Sequence, residues 1–245
     1  MLKVLLLLLS LAPFVFAGES VTIPTMNFSL AAPDTPQQLV SSLNVLVILT
    51  LLFLAPSMVL VMTTFTRFVI VFGFLRQALG TQQVPPTQLL VMLAMILTFF
   101  VMEPVGTKAY DAGIKPYLAE EIGYEEAFTK TVLPFKSFMI RNTREKDLAL
   151  FFRIRKMENP QTIADVPLSI IIPAFVISEL KTAFEVGFLI FLPFLVIDMV
   201  VASILMSMGM MMLPPVMISL PFKILVFVLI DGWNLLIGNL IASIK

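Results

Sequence analysis

The chain has 245 residues, zero formal net charge, 59% apolar residues and only 13% charged ones, with a mean hydropathy of +1.00. That apolar share exceeds the needs of a soluble core and points to a membrane protein. With no cysteine there can be no disulfide or thiolate metal site, and with no histidine the commonest zinc ligand and neutral-pH proton carrier is missing. No cofactor or metal is therefore expected, and the balanced charge gives no reason to expect nucleic acid as a partner.

Residues 1–17 join one basic residue, Lys3, to an apolar run that ends with Val15 and Ala17 at the small-residue spacing of a signal-peptidase site. This pattern predicts a cleaved secretory signal and a mature chain that starts outside the cytoplasm at Gly18. Residues 18–42 read as an exported tail, irregular as far as Gln38 because Pro24, Pro33 and Pro36 punctuate it. No charge occurs from Leu43 to Thr66, which is long enough to cross about 30 Å of hydrocarbon. Arg67 and Arg76 follow without an acidic neighbour, and that basic excess predicts a cytoplasmic connection. In "GTQQVPPTQ", Gly80 can end a helix and Pro85-Pro86 cannot continue one. A second span, Leu89 to Met102, is expected to close at Glu103-Pro104, so that residues 43–106 form a first helical hairpin.

Most of the charged residues fall between Thr107 and Glu185, a stretch that must be solvated and reads as a small helical extracytoplasmic domain. Asn142 with Glu145 three positions on resembles a capping box, and Leu148, Phe151 and Phe152 share the helical face behind it. Glu179, Lys181 and Glu185 form a charged collar at the mouth of a third span, Val186 to Met206. Either a solvated helix end or a subunit contact would suit that collar.

Residues 186–245 then make a second hairpin. Its last segment holds Lys223, Asp231, Asn234 and Asn239 among apolar residues, which are costly in hydrocarbon unless they meet protein partners. Asp198, Lys223 and Asp231 are expected to pair or make polar contacts between helices or subunits, fixing register more than adding stability. An intramembrane aspartyl protease would need Tyr-Asp or Gly-x-Gly-Asp contexts, whereas "VIDMV" and "LIDGW" supply neither. Without a serine-nucleophile motif or a phosphate-binding glycine loop, no catalytic activity is expected. The chain has no internal repeat of the kind on which many secondary transporters are built.

Five of the seven residues 206–212 are methionine, and Pro214-Pro215 follows. Met206 and Met208 could equally be apolar filler. Met210, Met211 and Met212 differ, since Gly209 and the prolines make them a turn, and irregular backbone at membrane depth must be buried in protein or line a cavity. Methionine is unbranched and repacks around irregular partners. Several such loops converging would form a deformable apolar constriction that opposes ions by dewetting yet parts around a polypeptide.

Three stretches, "MTTFTRFVIVFGFLRQALGT" (Met62–Thr81), "PAFVISELKTAFEVGFLIFLPFLVIDMVVASILMSMGMMMLPP" (Pro173–Pro215) and "LPFKILVFVLIDGW" (Leu220–Trp233), strongly resemble the FliP family of the flagellar type III export apparatus. The resemblance runs from about Leu39 to the end. It implies an all-α, multi-pass membrane protein of bent helical hairpins with a small helical periplasmic domain. It further implies that five copies assemble with FliQ and FliR, alongside FlhA and FlhB, into a helical export gate that passes unfolded flagellar proteins. The gate would lie in the bacterial inner membrane at the flagellar basal body, with much of the chain on the periplasmic side. On this resemblance the family's methionine gasket falls on Met210, Met211 and Met212, with Met206 and Met208 beside it. A non-conducting assembly scaffold and an injectisome export-gate homologue are the competing readings; the leader favours the flagellar branch.

Overall fold

A computed structural model of the full chain describes residues 36–81, 84–157, 162–163, 165–210 and 214–245. The expected signal segment lies outside the described residues. Two compact units are distinguished, Met1–Leu49 and Thr50–Lys245. The described part of the first is the opening of helix α1 (Pro36–Val61), which continues into the second.

Helix α1 starts at Pro36, within the tail expected to be irregular up to Gln38. Proline is well suited to a first helical position, where its missing N–H has no partner to lose. A short break at Met62–Thr64 separates α1 from α2 (Phe65–Ala78). The chain turns at Gly80, whose φ of +77° is open to glycine without a side-chain clash, and α3 (Thr87–Ala109) begins straight after Pro86. Here the turn expected from the sequence is found.

Helix α3 does not close at Glu103-Pro104. It runs through Pro104 and, by a π-helical turn at Tyr110–Ile114, into the single turn α4 (Lys115–Leu118). An interior proline costs about 3 kcal/mol in a helix. Met102, Val105 and Ala109 lie buried on one face on both sides of it, and that packing offsets the missing bond.

Helices α5 (Tyr124–Asn142) and α6 (Glu145–Arg155) carry much of the charge and rest on the apolar elements. The expected capping box is not made. Arg144 occupies the N-cap of α6 without a side-chain capping bond, while Asn142 closes α5 and clamps Lys245: its amide donates to the Lys245 carbonyl at 3.1 Å and its oxygen accepts from the Lys245 N–H at 3.0 Å. The apolar face behind it does form, with Phe152 buried and Leu148 and Phe151 packed on the same cluster.

Helix α7 (Leu168–Ser207) has 40 residues, so it is roughly 60 Å long, twice the hydrocarbon thickness. It starts well before the expected Val186, because the charged collar is part of the same helix. The boundaries drawn at residues 107 and 185 therefore fall inside continuous helices. A bend of 64° at Asp231 divides the last segment into α8 (Pro215–Leu229) and α9 (Gly232–Ala242).

The core is built along α7. Its first half packs Ile170, Ile171 and Phe175 against Phe138 and Met139 of α5 and Phe152 of α6. Its middle meets Phe68, Val71 and Phe72 of α2, with Leu90 and Ala94 of α3 and Leu240 of α9 behind them. Gly187 sits where α2 comes nearest, since a Cβ there would stand 2.3 Å from the Phe74 ring. No strand occurs among the described residues. Among the described residues two helices are long and apolar enough to cross a membrane, or three counting the bent α8–α9 pair. The protein is an all-α membrane protein.

Candidate functional site

The second hairpin presents the methionines. Helix α7 ends through a Schellman motif: the Met210 N–H reaches the Leu205 carbonyl at 3.0 Å and the Gly209 N–H reaches that of Met206 at 3.0 Å. Gly209 takes φ +74°, with no atom of the described residues within 4 Å of where a Cβ would be. Pro214 and Pro215 then open α8. Met206 is 60% exposed, Met208 66% and Met210 39%, so the described part of the bend contributes little to this chain's own core. Met211 and Met212 lie outside the described residues.

About 12 Å back from the tip on each arm, by the rise of a helix, the hairpin is pinned by polar groups. The Lys223 ammonium on α8, 2% exposed, donates to Asp198 of α7 at 2.6 Å and to the Ala78 carbonyl of α2 at 3.1 Å. Ser219 donates to the other Asp198 oxygen at 2.5 Å. Three helices are thereby tied together, with Asp198 and Lys223 paired between two helices of one chain. Asp231 does not join them. It takes φ +52° at the α8–α9 bend, is exposed, and accepts only from the Asn234 amide at 3.1 Å among the described residues.

Glu179 was open between a solvated end and a subunit contact, and the structure shows neither. Its carboxylate is fully buried and accepts two bonds from the Arg67 guanidinium, one at 2.8 Å, while Arg67 also donates to the Ser243 hydroxyl at 2.8 Å. Arg67 is correspondingly not a loop cation. With its charge neutralised inside the core it adds nothing to a basic cytoplasmic loop, which removes half the basis of the orientation drawn from Arg67 and Arg76. Glu185 does sit in a half-exposed network, 2.8 Å from Arg144 and 3.8 Å from Lys181. Below it Ser178 joins α6 to α7, donating to Asp147 at 2.6 Å and accepting the Arg144 N–H at 2.9 Å.

The Arg67–Glu179 pair is the part of this arrangement missed in the sequence. Its signal was available for Arg67, a lone charge among apolar residues, since isolated charges in apolar helices have partners; Glu179 was masked by its neighbours Lys181 and Glu185. Among the described residues no cluster of three or more acidic groups, histidines or cysteines could hold a metal.

This layout of a long central helix, a proline-bounded methionine bend and two internal ion pairs can be set beside known proteins. The model of the FliP family matches residues 48–240. The chain belongs to the FliP family. It is 53% identical over 215 residues to the flagellar biosynthetic protein FliP of Bacillus subtilis, covering 88% of this chain and 97% of that one. The FliP of Caulobacter vibrioides is 54% identical over 198 residues, 81% of this chain and 74% of its own. That of Aquifex aeolicus matches at 44% over 245 residues, 99% of both chains. The FliP match takes in both ion pairs and the methionine bend, whereas residues before 48 lie outside the family model.

Proposed function

We propose that the protein is a pore-forming subunit of the flagellar protein export gate, and that it assembles as a ring of copies, five by the family resemblance, with FliQ and FliR. Membership of a family of flagellar biosynthetic proteins supports a role in flagellum assembly. The pore reading is carried by one observation: the methionine bend is the tip of a pinned hairpin whose described thioethers are turned away from their own chain. Side chains so exposed, on irregular backbone in an apolar chain, call for protein neighbours or a lumen. Copies of the bend meeting on an axis would give a soft apolar closure, because methionine repacks at little cost and an apolar constriction sheds water. Unfolded flagellar proteins could part it while ions could not.

The supporting groups divide the work. The Asp198–Lys223–Ser219 cluster and the Ala78 carbonyl hold the hairpin arms in register, and Arg67–Glu179 fixes the root of α7. FlhA and FlhB would supply the remaining apparatus in the bacterial inner membrane.

The decisive experiment replaces Met210, Met211 and Met212 together by alanine in cells that assemble the complete gate. Ion leakage with a normal yield of assembled complex is expected; unchanged permeability would falsify the closure. Site-specific crosslinking of a stalled export substrate to position 210 separates a conducting gate from a scaffold, which predicts no crosslink there.

A further inference from the structure

A cavity of about 1110 Å³ lies between α3, α5 and the chain end that follows α9. Part of its lining is apolar, made by Phe100, Val101, Leu133, Ile241 and Ile244. The same helices add Lys108, Lys130 and Arg141, with Lys245 beyond them, against a single acidic side chain, Glu103. Lys130 is occupied by Glu126 at 2.8 Å, but Lys108 and Arg141 are exposed and make no ion pair among the described residues.

The position of the cavity along its helices matters as much as its charge. In α3 the uncharged run Leu89–Met102 ends at Glu103, and Lys108 is the helix's first cation. Beyond the end of α9, Lys245 adds a further cation to the lining. Helix α3 thus passes from apolar to charged within this one cavity, the profile of a site at the boundary between acyl chains and headgroups. Basic pockets between membrane helices at that level favour anionic headgroups, and exposed cations beside an apolar wall match the two ends of such a molecule.

We infer that this cavity binds an anionic phospholipid, with its phosphate between Lys108 and Arg141 and acyl chain along Phe100, Leu133 and Ile244. The volume is just above that of ordinary small-molecule sites, roughly 300–1,000 Å³, and admits a headgroup with the first part of its chains. The inference is independent of the export reading, since it uses no residue of the methionine hairpin or its pins.

The test is native mass spectrometry of the full-length protein in neutral detergent, titrated with phosphatidylglycerol, phosphatidylcholine of the same chains, and glycerol phosphate. Phosphatidylglycerol should bind about tenfold more tightly than phosphatidylcholine, and Lys108→Gln or Arg141→Gln should each weaken it about tenfold, the worth of one charge-assisted bond. Lys115→Gln, on a cation that does not line the cavity, should leave it unchanged, and Leu133→Trp should weaken it by filling the apolar wall. All four positions except Leu133 are solvent-facing cations, so folding is retained and is checked by a monodisperse elution. Equal binding of the two lipids, or unchanged phosphatidylglycerol affinity in both cavity variants, overturns the site. Glycerol phosphate binding as tightly as the lipid would make it a free-anion site and overturn it too. A change in the number of copies per particle with unaltered lipid affinity would assign the cavity to a contact between copies instead.

Discussion

Arg67 and Glu179 are 112 positions apart in sequence and 2.8 Å apart in space, each essentially without solvent. They join α2 to the root of α7, and Ser243 completes the guanidinium's bonding from the far end of the chain. A buried pair of this kind stabilises less than its short distances suggest, since both charges lose their hydration, yet removing one partner strands the other.

Arg67→Met and Glu179→Leu should therefore each destabilise the detergent-solubilised protein by about 3–5 kcal/mol, and the double variant should cost less than either alone. Thermal unfolding of the three variants measures this. Additive losses would show that the two residues act separately and that the contact has no energetic content.

The second pair is asymmetric, and that asymmetry predicts an order. Lys223 is 2% exposed, whereas the Asp198 side chain keeps 33% of its surface and a bond from Ser219. Asp198→Ala leaves a buried ammonium with only the Ala78 carbonyl, so it should cost about 3–5 kcal/mol; Lys223→Met leaves a carboxylate that water can reach, at about 1–2 kcal/mol. Lys223→Glu sets two carboxylates together and should lower the yield of purified oligomer before it alters conductance. Normal yield from Lys223→Glu would remove the packing role assigned to it.

The sequence revealed the apolar helices, the Gly80–Pro86 turn and the Met-Gly-Met bend because each is written locally, in composition or in a residue that only one backbone geometry suits. Lys223 and Asp198 were also legible, as charges that hydrocarbon would not tolerate. What was hidden depends on contacts far along the chain. Pro104 looked like a terminator because its local cost is visible while the packing of Met102, Val105 and Ala109 that offsets it is not. Asn142 looked like a cap because nothing near it in sequence points to Lys245. Arg67 looked like a loop cation because the first span was taken to end at Thr66, one residue short of a charge that folds inward.

The closeness of α2 and α7 gives a third prediction. At Gly187 an added Cβ would lie 2.3 Å from Phe74 Cδ2 and 2.6 Å from Cγ, the fixed end of that ring. Gly187→Ala should thus force the helices apart at a cost of about 1–3 kcal/mol, the usual range for overpacking. Phe74→Leu, with a narrower side chain, should recover part of the loss when combined with it. Equal instability of the single and double variants, measured by thermal unfolding, would place the strain elsewhere.

The last prediction separates the shape of the methionine bend from its chemistry. Gly209 holds φ +74° with no described residue near its missing Cβ, so the expected cost of Gly209→Ala is the backbone penalty of the left-handed region, about 1 kcal/mol. Asparagine enters that region more readily, and Gly209→Asn should cost less. If the bend aims the thioethers at a shared axis, the alanine variant should raise ion leakage through the assembled gate while all five methionines remain, and asparagine should raise it less. Stability and leakage are read on the same preparations. Leakage equal to wild type in Gly209→Ala, at an unchanged yield of assembled gate, would show that the Schellman geometry does not set the closure and that thioether content alone does.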